Sequence, residues 1–167
     1  MDLPSALNVK LLFSVNARKK INPELPRGYY GNGFVLGCAE ASVDRLTRSN
    51  LHYSVKLVQQ AKERINDGHV RSVIDLLEET RMKPDLSTTL VISQWSKLGL
   101  EDLDFGEGRP LHMGPLASEI YCLFLPVIED FHAFTVLVSV PQGIAERFEN
   151  LLKGFGEESI IGGRGYN

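Results

Sequence analysis

At 167 residues, 43% hydrophobic and 23% charged, the chain has the balance of one globular domain or of one half of a larger enzyme, not of a disordered or fibrous protein. A net charge of −3 argues against a general nucleic-acid binder. The longest apolar run, "YCLFLPVI", is too short to cross a bilayer, so no membrane partner is expected.

In chain order, "NVKLLFSVN" alternates, with Val9, Leu11, Phe13 and Val15 on one face, and predicts a strand. "ARKKINPELPRGYYGNG" is broken by prolines and glycines and predicts a long loop. "GFVLGCAEA" predicts a second strand. Two helices follow, one with Leu51, Val55, Val58, Ala61 and Ile65 at spacings of three and four, the other with Val70, Val73, Ile74 and Leu77. "MKPD" closes the pair. "TTLVISQW" is β-branched and predicts a third strand, and "ASEIYCLFLPV" and "HAFTVLVSV" predict two more. Pro141 suits the first turn of a last helix with the face Ile144, Phe148, Leu151 and Leu152. The pattern describes an α/β layer domain over residues 1–154, a mixed β-sheet with helices packed mainly on one face, followed by a flexible Gly-rich tail over 155–167.

Charge and cysteine placement narrow the setting. Residues 10–27 carry Lys10, Arg18, Lys19, Lys20 and Arg27 against Glu24 alone, whereas residues 101–167 hold eleven acids and four bases. The basic stretch is either a solvated turn or a site for an anionic ligand. Cys38 and Cys122 lie in apolar runs and read as free thiols of a reducing compartment. "LLFSV" precedes the basic run, the reverse of a secretory signal, so the expected location is cytoplasmic. No metal-ligand spacing is present.

"DLDFGEGRP" places Asp104, Phe105 and Gly106 among turn-formers. Asp-Phe-Gly occurs in protein kinases, but their His-Arg-Asp loop, Gly-rich phosphate loop and strand lysine are all missing here. Nor is there a phosphate-binding Walker loop, a Gly-x-Ser-x-Gly elbow or a zinc helix. The four histidines, His52, His69, His112 and His132, have no Asp four positions on. Each reads as a surface or structural residue.

Three segments in this order, "VNARKKINPELPRGYYGN", "ISQWSKLGLEDLDFGEGRP" and "VLVSVPQGIAERFENLL", resemble the C-terminal half of the BAHD acyltransferases, plant enzymes that move an acyl group from coenzyme A to an alcohol or amine. The resemblance runs from about Asn8 to Leu152 and is strongest to the branch acylating simple alcohols, such as benzyl-alcohol benzoyltransferases. It implies a chloramphenicol-acetyltransferase-like half. The family's Asp-Phe-Gly-Trp-Gly motif is present with Glu107 in place of Trp; its His-x-x-x-Asp motif, which holds the general base, is not in this sequence.

The resemblance also implies residue roles. Asp104 would be held by Arg18, a structural more than a catalytic carboxylate, and Phe105 would plug the core beneath. Ser14, Arg18, Lys19, Lys20, Ile92, Ser93, Gln94 and Trp95 would line an acyl-CoA channel, the lysines on phosphate and Trp95 as an apolar wall or as core. Lys97 stands where some relatives handle the acceptor. Acyl-CoA is then a co-substrate, no cofactor is permanently bound, and the acceptor is a small alcohol. The protein partners implied are an N-terminal half in trans or a second copy. Two other readings stay open: a non-catalytic CoA-binding or partner-pairing module, and a nonfunctional truncated product.

Overall fold

The computed structural model describes residues 3–80, 85–116, 121–128 and 130–161. Most of "MKPD", the start of "ASEIYCLFLPV" and the last six residues of the tail lie outside them. The strands are β1 (Asn8–Asn16), β2 (Phe34–Ser42), β3 (Thr89–Gln94), β4 (Tyr121–Val127) and β5 (Asp130–Leu137); the helices are α1 (Val43–Arg48), α2 (Leu51–Glu63), α3 (Asp67–Glu79) and α4 (Ala145–Ile161). Packing divides the chain into a large unit, Asp2–Val138, and a smaller one starting at Ser139.

In the large unit five strands form one mixed sheet in the order β2-β1-β3-β4-β5. β1 pairs antiparallel with β2 and parallel with β3, β3 parallel with β4, and β4 antiparallel with β5. The strand alternation then sorts the side chains. Phe13 and Val15 of β1 and Val35 of β2 share one face, and α2 and α3 cover it: Val15, Ala17, Val35, Ile65 and Val70 form a buried cluster, with Phe13, Ile21 and Val73 packed on it. Gly37 stands opposite Phe13 in the register. A Cβ there would lie 2.7 Å from the Phe13 ring, so only glycine lets that ring lie across the strand.

The helices are buried where they meet each other. Ala61, Ile65 and Val70 are buried, whereas Leu51 and Leu77, at the outer ends of the expected apolar stripes, are 75% and 70% exposed. The loop after β1 explains this. Lys20 Nζ donates to the Ile65 carbonyl at 2.9 Å, and the Asn22 N–H donates to Asp67 Oδ1 at 2.7 Å. Arg71 donates to Asp67 Oδ2 at 3.0 Å and to the Asn22 carbonyl. The Asn22 N–H and then Arg71 hold the Asp67 carboxyl below its ordinary range, because both stabilise the charged form. Asn50 and Asn66 cap α2 and α3, each accepting a backbone N–H three residues on.

Helix α1 escapes the periodicity reading because six residues are too few to show a stripe. Its start is legible afterwards: Ser42 accepts the Arg45 N–H, and the carbonyls of Leu7 and Ser5 take the N–H groups of Val43 and Asp44.

In the smaller unit, Pro141 precedes a single 3₁₀ turn, Gln142–Ile144, which runs into α4. Of the segment read as a tail from residue 155, the backbone is helical to Ile161. Among the described residues no helix is long and apolar enough to cross a membrane.

Candidate functional site

The parallel strands β1 and β3 end on one side of the sheet, at Asn16 and Gln94. Open sheets leave a crevice beyond the carboxyl ends of such strands. Here the crevice is a cavity of about 520 Å³ lined by residues of β1, the loop before β2, and the end of β3. Because Phe13 and Val15 face the helices, Ser14 and Asn16 are left on the other face. By the same alternation β2 leaves Phe34 and Leu36 there, and β3 leaves Ser93.

Arg18 shapes the rim. Its Nη2 donates to the Gly31 carbonyl at 2.7 Å, and its guanidinium carbon lies 6.0 Å from the Tyr29 ring centroid. Its stem runs against Gly33, where a Cβ would stand 2.9 Å from Arg18 Cγ. The Ala17 N–H donates to the Gly33 carbonyl at 2.8 Å. The loop before β2 therefore wraps one cation.

At the end of β3 the Phe124 carbonyl accepts the N–H groups of both Trp95 and Ser96, each at 2.8 Å. The shared acceptor turns the chain out of the sheet and sets Trp95, half-buried, on the cavity wall. Arg18 and Lys97 line this cavity, and among the described residues no acid lines it with them. A second cavity, about 440 Å³, shares Ser14, Asn32, Phe34, Ser93 and Trp95 with the first and continues over Leu36, Ile92, Pro115, Tyr121 and Leu123. Among the described residues none that lines it is charged. One lobe thus favours anions and the other apolar groups.

Of the residues singled out in the sequence, Ser14, Arg18, Ser93, Gln94, Trp95 and Lys97 line the charged lobe, and Ile92 the apolar one. Lys19 is exposed and lines neither. Lys20 is a correction. Its ammonium is tied to the Ile65 carbonyl, and it lines neither lobe but a third cavity, with Phe13 and Val15 on the helix side, that shares Ser14, Asn16 and Gln94 with the charged lobe.

The Arg18–Asp104 pair is a second correction. The ion pairs among the described residues are Arg48–Asp44, Arg71–Asp67 and Arg109–Asp102. Asp104 Oδ1 instead accepts the N–H groups of Gly106 and Gly108, at 2.7 and 3.1 Å. Both glycines have positive φ, +102° and +96°, which aims two consecutive turns at one carboxylate. A carboxylate closed within four residues needs no partner 86 positions away, and Arg18 is engaged by its own loop. Phe105 does not plug a core; it is 92% exposed.

The sequence reading missed Asn32, Phe34 and Leu36. The signal for the last two was present: "FVLG" alternates about the buried Val35. His52, His112 and His132 are exposed, His69 is half-buried on α3, and none lines either lobe. Among the described residues no group of three or more His, Cys, Asp or Glu could hold a metal ion.

A model of the family described as "Transferase family" matches residues 2–152. The chain is 40% identical over 146 residues to the fatty alcohol:caffeoyl-CoA acyltransferase of Arabidopsis thaliana, covering 86% of this chain and 34% of that protein. It is 41% identical over 151 residues to the omega-hydroxypalmitate O-feruloyl transferase of the same plant, covering 89% and 33%. The chain thus spans about a third of the length of the curated relatives it matches. Among solved structures, F. graminearum TRI101 complexed with coenzyme A and deoxynivalenol superposes with a TM-score of 0.66 at 18% identity, over 89% of this chain and 36% of that one. That likeness shows the fold, the chloramphenicol-acetyltransferase-like mixed sheet expected from the sequence.

Proposed function

From the premise that this chain belongs to the Transferase family, the BAHD acyltransferases, we propose that it forms the acyl-CoA side of an enzyme that O-acylates alcohols. The observation that carries this reading is the pairing of Arg18 and Lys97, with no acid among the described residues that line the cavity at the ends of two parallel strands. Arg18 and Lys97 face the phosphates of coenzyme A. Ser14, Ser93 and Gln94 offer hydrogen bonds to the pantetheine amides, and Trp95 an apolar wall. The fold neighbour complexed with coenzyme A agrees with acyl-CoA as co-substrate.

In the reaction the acceptor hydroxyl oxygen attacks the thioester carbonyl carbon. The C–O bond forms, the C–S bond breaks, and the hydroxyl proton ends on the thiolate of coenzyme A. A general base typically contributes about 10²–10⁴-fold. No histidine of this chain lines either lobe; in this reading an N-terminal half supplied in trans brings the base. The names of the two Arabidopsis relatives point to a long-chain alcohol as acceptor. Exposed apolar residues on β5, Phe134 and Val136 at 54% and 47%, suit a partnering half. The site of action is the cytoplasm.

Absence of a base also favours a second reading, a CoA-holding module without turnover. Calorimetric titration with coenzyme A tests the shared premise. Binding is expected, weakened roughly tenfold by Lys97→Glu; no heat at millimolar concentration overturns both readings. Turnover of feruloyl-CoA and a fatty alcohol on adding the complementary two-thirds of a relative supports the enzyme, and binding without turnover in that mixture supports the module.

A further inference from the structure

On the face covered by helices, β2 places three small residues at alternate positions, Gly37, Ala39 and Ala41. They stand opposite Phe13, Leu11 and Val9 of β1. At Gly37 the space is taken: a Cβ there would lie 2.7 Å from the Phe13 ring and 3.2 Å from Ile65 Cδ1. At Ala39 and Ala41 it is left open. A cavity of about 470 Å³ lies there, between the sheet and the helices α1 and α2. Leu46, Leu57 and Val58 line it from the helices, and Val9, Leu11 and Leu90 from the sheet. Leu90 continues the row because it pairs with Leu11. Among the described residues none lines both this cavity and a lobe of the candidate site. The two sites use opposite faces of the sheet and opposite ends of β1, where Val9 and Asn16 are roughly 20 Å apart at about 3.3 Å per residue.

We propose that this cavity is a second binding site, which takes an uncharged aliphatic chain ending in a hydroxyl group. Three features commit the occupant. The apolar walls are aliphatic, and among the described residues that line the cavity none is aromatic. A planar ring therefore has no ring face to meet, whereas a flexible chain needs none. The polar side chains are hydroxyls gathered mainly at one place: Ser87, Thr88 and Thr89 are consecutive where β3 begins, and Ser54 adds one from α2. A hydroxyl both donates and accepts, so it matches a ligand hydroxyl in either role. Charge is already balanced. Lys10 and Glu40 border the cavity opposite each other in the register, and Glu40 also accepts from Asn8 Nδ2 at 3.0 Å. A carboxylate or ammonium headgroup finds no unmatched charge there, and burying it unpaired is costly. An apolar cavity holds water poorly and takes up apolar molecules, and this one has the size of a small-molecule site. The site stands apart from the acyl-CoA reading and does not depend on it.

Calorimetric titration of the full chain with decan-1-ol, sodium decanoate and 2-naphthol tests the chemistry on the parent protein. Decan-1-ol is expected to bind roughly tenfold tighter than decanoate and several-fold tighter than 2-naphthol. Two variants test the place. Ala41→Leu fills the cavity from β2, and Ser54→Leu fills it from α2; each should weaken decan-1-ol at least roughly tenfold while coenzyme A binds as it does to the parent. Circular dichroism checks that they keep the parent fold, and two fillers from different elements leave the test standing if one does not. Decanoate or 2-naphthol binding as tightly as decan-1-ol overturns the stated ligand class. Unchanged decan-1-ol affinity in a folded filled variant, or displacement of decan-1-ol by coenzyme A, overturns the site. Self-association of the parent that Ala41→Leu abolishes would assign the cavity to a second copy of the chain and overturn the small-molecule proposal.

Discussion

The guanidinium of Arg18 reaches the carbonyl of Gly31 at 2.7 Å and so ties the end of β1 to the loop that leads into β2. Thirteen residues are closed by one side chain that also lies against Gly33 and over Tyr29. A planar fork suits this, since it can bond a carbonyl edge-on while its face rests on a ring. Arg18→Ala is expected to open the loop. Trypsin cleavage after Arg27 should speed up several-fold, with Arg18→Lys intermediate. An unchanged cleavage rate in Arg18→Ala would show that the loop holds without it.

Asp104→Ala should cost about 1 kcal/mol, the loss of an exposed carboxylate that accepts two loop N–H groups. A buried pair with Arg18 would instead have cost roughly 3–5 kcal/mol. Urea melts of parent and variant separate the two, and a loss of the larger size would return Asp104 to the role expected from the family.

Gly37→Ala puts a Cβ 2.7 Å from the Phe13 ring beside a buried cluster. Overpacking of this kind costs about 1–3 kcal/mol. The double variant Gly37→Ala with Phe13→Leu should recover part of it, because the clash is with the ring. Thermal melts of the two variants should fall in that order.

The two thiols should differ sharply. Cys38 is exposed on β2, whereas Cys122 is buried on β4 and burial pushes its thiol pKa up, favouring the unreactive neutral form. One equivalent of a thiol reagent should react in native buffer and two in denaturant. Two fast equivalents in native buffer would contradict the placement of β4.

Acid should loosen the loop after β1 through Asp67. Its folded pKa is depressed, by the Asn22 N–H first and Arg71 second. The stabilisation is therefore present above the unfolded pKa, about 4, and is lost as pH falls through the lower folded value. Asp67→Asn should melt below the parent at pH 7 and converge with it near pH 2. A gap that persists at pH 2 would assign the effect to something other than the carboxylate charge.

Much of the fold was legible because strand alternation and helical spacing are local. β1 falls where "NVKLLFSVN" alternates, and β2 and β3 lie within one or two residues of their expected bounds. The candidate site was legible in part. "ISQW" and the Ser14–Arg18 segment meet at one cavity, as the family resemblance implies. Lys20 was misassigned because adjacent positions in a tight loop can turn to opposite faces of a sheet, and the loop's own bonds to Ile65 and Asp67 decided which.

By itself the sequence determined the five strands, the longer helices α2 and α3, the family and the chemical character of each segment, because period, turn chemistry and charge are written within a few residues. Only the tertiary structure decided partners. Which carbonyl satisfies Arg18, which donors satisfy Asp104 and which leucine lies across from which serine depend on strand order and register. Those are settled by competition among contacts far apart in the chain, where a nearby Gly31 or Gly106 can win a charge before a distant residue reaches it.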